Sequence, residues 1–111
     1  MAKKIKFTYN DKSYTLEYNR DSVRMLEKQG FRVDQIESQP ETMITMLFAG
    51  AFIMHHKNIV SNTKLIDEMF KKFPKRDELI ARLAEMYQEP VLALFDEPEE
   101  DEGNIQWESE E

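Results

Sequence analysis

From residue 4 onward polar and apolar positions alternate. Lys4, Lys6 and Thr8 interleave with Ile5, Phe7 and Tyr9, and after Asn10, Asp11 and Lys12 the alternation resumes with Tyr14, Leu16 and Tyr18. Period two on both sides of an Asn-Asp turn predicts a β-hairpin over 4–18 with one apolar face. Two strands alone are only marginally stable, so that face must pack on helices. The period then lengthens. Val23 and Leu26 lie three apart between Asp21, a favourable N-cap, and Gly30, a common helix stop, which predicts a short helix over 21–29. The connection 31–39 has room for one helical turn around Val33 and Ile36.

Pro40 at an early helical position, with Glu41 behind it near the positive end of the dipole, opens a second predicted helix over 40–56. On a helical wheel Met43, Leu47, Gly50, Ala51 and Met54 form one face, and Ile44, Phe48, Phe52 and His55 form a second beside it. A helix apolar over so wide an arc is buried on more than one side. Either core packing covers the Ile44, Phe48 and Phe52 face, or a second subunit does. So few elements remain to cover it that self-association through this face is the expectation, with Phe48→Glu and Phe52→Glu giving monomers. Gly50 within a helix costs about 1 kcal/mol relative to alanine; close approach of another helix, from the fold or from another subunit, would offset it.

Ser61 or Asn62 can cap a third helix over 63–73, with Leu65, Ile66, Met69, Phe70 and Phe73 as its apolar stripe. Pro74 ends it. A fourth helix over 76–89 carries Asp77 and Glu78 in its first turn and the stripe Leu79, Ile80, Leu83, Met86 and Tyr87. Pro90 is expected to interrupt this helix, leaving Val91, Leu92, Leu94 and Phe95 as a last apolar patch. The predicted fold is α+β: one mostly helical domain over 1–95, with an N-terminal hairpin, about four helices and a disordered acidic tail over 96–111.

Composition agrees with one domain of modest core: 111 residues, 41% hydrophobic and 33% charged. The charge is uneven. Of the formal net −7, residues 96–111 hold nine acids and no base, so residues 1–95 hold 15 bases against 13 acids. The acidity is a tail on a nearly neutral domain, and a tail of that composition is expected to be disordered. With no cysteine, disulfides, thiolate nucleophiles and cysteine-bound zinc are ruled out, and a reducing cytoplasm is the natural setting. The amino terminus lacks the apolar stretch of a signal peptide. The apolar run 43–54 falls short of the roughly 20 residues of a spanning helix. Neither secretion nor a membrane partner is expected.

Candidate chemistry is sparse. His55 and His56 are adjacent, so on a helix they diverge by about 100° and cannot jointly hold one metal in the usual way. The acid pairs Asp67 with Glu68 and Asp77 with Glu78 lie on polar helix faces. The three glycines, Gly30, Gly50 and Gly103, form no phosphate loop. Lys71, Lys72, Lys75 and Arg76 cluster around Pro74, but a tethered acidic tail would compete with nucleic acid for them. No catalytic residue, cofactor, metal or nucleic-acid partner is expected. Ile105 and Trp107 stand as large apolar residues among acids. They are either passive or anchors for a protein partner, tryptophan being a frequent anchor in coupled folding and binding.

The stretches KIKFTYNDKSYTLEYNRDSVRMLEKQGF, TMLFAGAFIMHH and LAEMYQEPVLALFDEPEEDEGNIQW resemble, in the same order and over nearly the whole chain, the small tail assembly chaperones of long-tailed phages and prophages of Gram-positive bacteria. The resemblance implies a protein of the host cytoplasm that coats the tape measure protein before the tail tube polymerises, self-associates and is absent from the finished virion. It also implies a longer product made by frameshifting near the end of the reading frame. Ile44, Phe48, Phe52, Ile105 and Trp107 are the residues expected to serve partner binding or self-association. Two other readings compete: an acidic regulatory or inhibitory protein that mimics nucleic acid, and a structural connector of the virion.

Overall fold

The computed structural model describes residues 3–96 and 105–109. Strands β1 (Lys4–Tyr9) and β2 (Lys12–Glu17) pair antiparallel, with Tyr9 opposite Lys12. That register leaves Asn10 and Asp11 as a two-residue turn. Both have positive φ, 50° and 65°, as the type I′ turn that matches strand twist requires. The pairs Ile5 with Leu16 and Phe7 with Tyr14 bring the predicted apolar positions onto one face.

Helix α1 (Arg20–Lys28) starts one step earlier than expected. Asn19, not Asp21, is its N-cap: the Asn19 side chain accepts from the Ser22 N–H at 2.8 Å, and the Ser22 hydroxyl oxygen accepts from the Asn19 N–H at 2.9 Å. This reciprocal capping box satisfies two donors, which Asp21 in the first turn could not do. At the other end Gly30, φ 102°, lets its own N–H reach the Glu27 carbonyl and the Phe31 N–H reach that of Leu26. This Schellman closure drives Phe31 down onto Leu26, and both are buried. A 3-10 turn, Val33–Gln35, follows.

Helix α2 (Pro40–Gly50) sits among the other elements, packed on α1, on α3 (Thr63–Lys72) and on α4 (Arg76–Leu92). It ends at Gly50 and does not reach 56. The carbonyl of Ala51 accepts from the Glu17 N–H of β2 at 3.1 Å, and the chain there tightens into turns with i to i+3 bonds at Ala51, Phe52 and Ile53. Gly50 marks the close approach: a Cβ there would lie 2.7 Å from the Tyr18 hydroxyl and within 3.0 Å of both Leu26 methyls. The approach is inside the fold, from the end of the hairpin and α1.

Asn62 caps α3 by accepting from the Leu65 N–H at 3.2 Å. Helix α4 corrects another expectation, since it runs through Pro90 to Leu92. A proline forfeits one intrahelical donor but does not end this helix, and beyond it the Ala93 N–H is bonded to the Glu89 carbonyl. A 3-10 turn, Ala93–Phe95, ends the domain. The expected disorder of 96–111 lies mostly outside the described residues.

The core is one cluster. Leu16, Leu26, Phe31, Leu47, Phe48, Phe52, Ile66, Met69, Leu83 and Met86 are all buried to 2% exposure or less. The expectation that Phe48 and Phe52 lie on a self-association face is therefore corrected. They are 1% and 0% exposed in the single chain. Phe48 packs against Phe52 and Phe70 at 5.2 Å each, and Phe52 meets Phe7 and Tyr14 of the hairpin at 6.3 and 6.0 Å. The aromatic face of the hairpin and the stripe of α3 close over the side that seemed short of cover.

Candidate functional site

Of the five residues singled out from sequence, three remain accessible, and the structure does not bring them together. Ile44 is half-buried at the edge of a groove of about 540 Å³ between α2, α3 and α4, with Phe70 and Ile80 beside it and Asp67, Lys71 and Arg76 on its margin. Ile105 and Trp107 are 87% and 82% exposed. Phe48 and Phe52 are interior, as described above.

The last apolar patch expected from sequence stands at the far end of α4. Leu92, Leu94 and Phe95 are 63%, 57% and 82% exposed, and among the described residues of the domain they are the large apolar side chains most open to solvent. Their position follows from the helix continuing past Pro90, which carries apolar residues beyond the last element that could cover them. Next to them runs a groove of about 710 Å³ between α1 and α4. Phe31, Tyr87, Val91 and Leu92 line it with apolar surface, and Arg24, Lys28 and Arg32 stand over it with Glu27 as the single lining acid. The Arg32 guanidinium is fixed by donating to the Phe31 carbonyl at 2.9 Å and the Glu27 carbonyl at 3.4 Å. Burial, reinforced by Glu27, raises the Tyr87 phenol, so its hydroxyl stays neutral near pH 7. Apolar area rimmed by cations, Arg32 among them held in place, suits a chain that brings apolar side chains and negative charge together.

The run of Val91, Leu92, Leu94 and Phe95 was legible as an apolar patch; that the helix continues through Pro90 and carries the patch into open solvent was not.

The histidines are structural neighbours of the hairpin edge. The Thr15 N–H donates to His56 Nε2 at 3.0 Å, and His55 Nε2 lies 2.7 Å from the buried Glu17 carboxylate. With the Glu17 N–H on Ala51, these contacts cover the free edge of β2, which would otherwise offer itself to another strand. To accept, His56 must be neutral at Nε2. Burial, with His55 beside it, holds its imidazole below the usual histidine range. Among the described residues, no group of three His, Cys, Asp or Glu side chains is placed to hold a metal ion.

The basic cluster at 71–76 is partly engaged with aromatic rings: Lys72 Nζ lies 5.7 Å from the Tyr9 ring centre and the Arg76 guanidinium 5.8 Å from that of Phe70. Among the described residues, no helix is long and apolar enough to cross a membrane.

No curated protein and no solved structure matches the chain. Residues 1–110 match the model of a family described as Domain of unknown function (DUF5055), and the chain belongs to that family.

Proposed function

We propose that this protein is a tail assembly chaperone of a long-tailed phage or prophage, which binds the tape measure protein in the host cytoplasm and performs no catalysis. The observation that carries the reading is the cluster of Leu92, Leu94 and Phe95 in open solvent beside the cation-rimmed groove between α1 and α4. Exposed apolar side chains on a small, highly charged chain mark a protein-binding surface. A tape measure protein is a long, largely helical and apolar chain, and its chaperone needs this kind of contact together with charge enough to keep the assembly soluble. The order of elements and the sequence stretches that resemble such chaperones supply the rest of the argument.

Co-expression with the tape measure protein encoded alongside tests the reading. The long chain should be soluble and co-purify with this protein, and insoluble when expressed alone. A tape measure protein that stays insoluble in its presence, or this protein copurifying instead with a nucleic-acid enzyme or with mature particles, would contradict it.

A further inference from the structure

Two features of the chain lack a partner in its own fold, and they complement each other. One is the groove between α1 and α4, with Tyr87 and Val91 on its floor and Arg24, Lys28 and Arg32 above. Its volume of about 710 Å³ is within the roughly 300–1,000 Å³ of pockets that enclose a sizeable apolar group. The other is the segment 105–109, in which Ile105 and Trp107 project among acids and stand off the domain. Spaced two apart, these side chains share a side of an extended chain, and Glu108, Glu110 and Glu111 follow directly.

We propose that Ile105 and Trp107 of one copy dock in the groove between α1 and α4 of a second copy, with the following acids against Arg24, Lys28 and Arg32. Charge selects this occupant. Residues 1–95 carry 15 bases against 13 acids, while the last sixteen residues carry nine acids and no base, so the tail of one copy is attracted to the domain of another. Exposure selects a second copy over the chain's own groove, because both anchors are solvent-borne in the single chain. The contact is heterologous: each copy offers one segment and one groove, so association is not limited to pairs. It also replaces the helix-face interface expected from sequence, whose phenylalanines are core. The groove adjoins the surface proposed to meet the client, and Leu92 belongs to both, so a docked tail and a client would compete there. Docking is tested on this chain alone, and the outcome does not depend on the client.

Trp107 is the only tryptophan, so its emission reports on the docking directly. In the full-length protein, raising the concentration through the micromolar range should move the emission from that of a solvated indole toward that of a buried one. The mass measured by sedimentation should rise in parallel. Salt at about 1 M, where the Debye length falls to about 3 Å, should reverse both without any substitution. Trp107→Ala should weaken association on the order of 30-fold, as for a hot-spot residue. The pair Arg24→Glu with Lys28→Glu, on exposed positions, should weaken it while the helical circular dichroism is kept. Each variant alone should then be monomeric, yet the two mixed should form a one-to-one complex, because one retains the groove and the other the segment. Emission that stays solvated throughout would overturn the proposal. So would a shift independent of concentration, which would place the segment in its own groove, or a mixture that fails to associate.

Discussion

The apolar stretch of α2 and the apolar end of α4 look alike as text and have opposite fates. Both combine consecutive large hydrophobic residues with a residue that disfavours helix, Gly50 in one and Pro90 in the other. In α2 and the turn that follows it the neighbours close in: α1, α3, α4 and the hairpin leave Phe48 and Phe52 essentially no solvent. At the end of α4 no described element follows that could cover them, and Leu92, Leu94 and Phe95 stay in water. Hydrophobicity alone therefore does not tell a buried stretch from an exposed one. What decides is how many elements remain to pack on a stretch: α2 lies among three helices where the end of α4 has little beyond α1.

The widest separation between the two regions should appear in stability. Phe52→Ala removes a side chain at 0% exposure packed among the rings of Phe7, Tyr14, Phe48 and His56, and should cost about 3–5 kcal/mol. Phe95→Ala should stay within about 0.5 kcal/mol. Urea denaturation of the two variants checks the contrast, and similar midpoints would show that one of the two positions has been misplaced. Gly50→Ala comes next. Alanine favours helix by about 1 kcal/mol, but its methyl would meet the Tyr18 hydroxyl and both Leu26 methyls, so a net loss of about 1–3 kcal/mol is expected. A stabilised variant would mean that Gly50 is not held at a close approach.

Asn19→Ala should cost about 1 kcal/mol by removing the cap of α1, and Asp21→Ala less, which reverses the ranking that sequence suggested. The smallest effect concerns pH. His56 is held neutral in the fold, so its contribution is fully present above the unfolded imidazole pKa of about 6.5 and declines as the pH falls below that value. His56→Gln keeps an acceptor for the Thr15 N–H and cannot titrate. Between pH 7 and pH 5 the wild type should therefore lose more stability than His56→Gln. Comparing the two variants over the same range cancels the contributions they share.

Much of the fold was legible because it depends on local periodicity and turn chemistry. The Asn10-Asp11 turn, the Gly30 stop, the Asn62 cap and the order of hairpin and four helices all follow from neighbours in sequence. What was illegible depends on distant partners. Helix α2 stops early because Ala51 gives its carbonyl to Glu17, thirty-four residues upstream. The burial of Phe48 depends on Phe70, and that of Phe52 on Phe7 and Tyr14. The apolar patch over 91–95 was legible, but its place at the end of a continuous helix was not, since Pro90 ends the stripe of α4 without ending the helix.

The central claim is that the client meets the end of α4 and not the side of α2. Recovery of the co-expressed tape measure protein on wild type, on Ile44→Glu and on the double variant Leu94→Glu with Phe95→Glu tests it most directly. Burying one large apolar side chain contributes about 1.5–3 kcal/mol, so the double variant should retain the client at least about tenfold less well. Ile44→Glu should retain it as the wild type does. Undiminished recovery on the double variant, or loss on Ile44→Glu alone, would contradict the account.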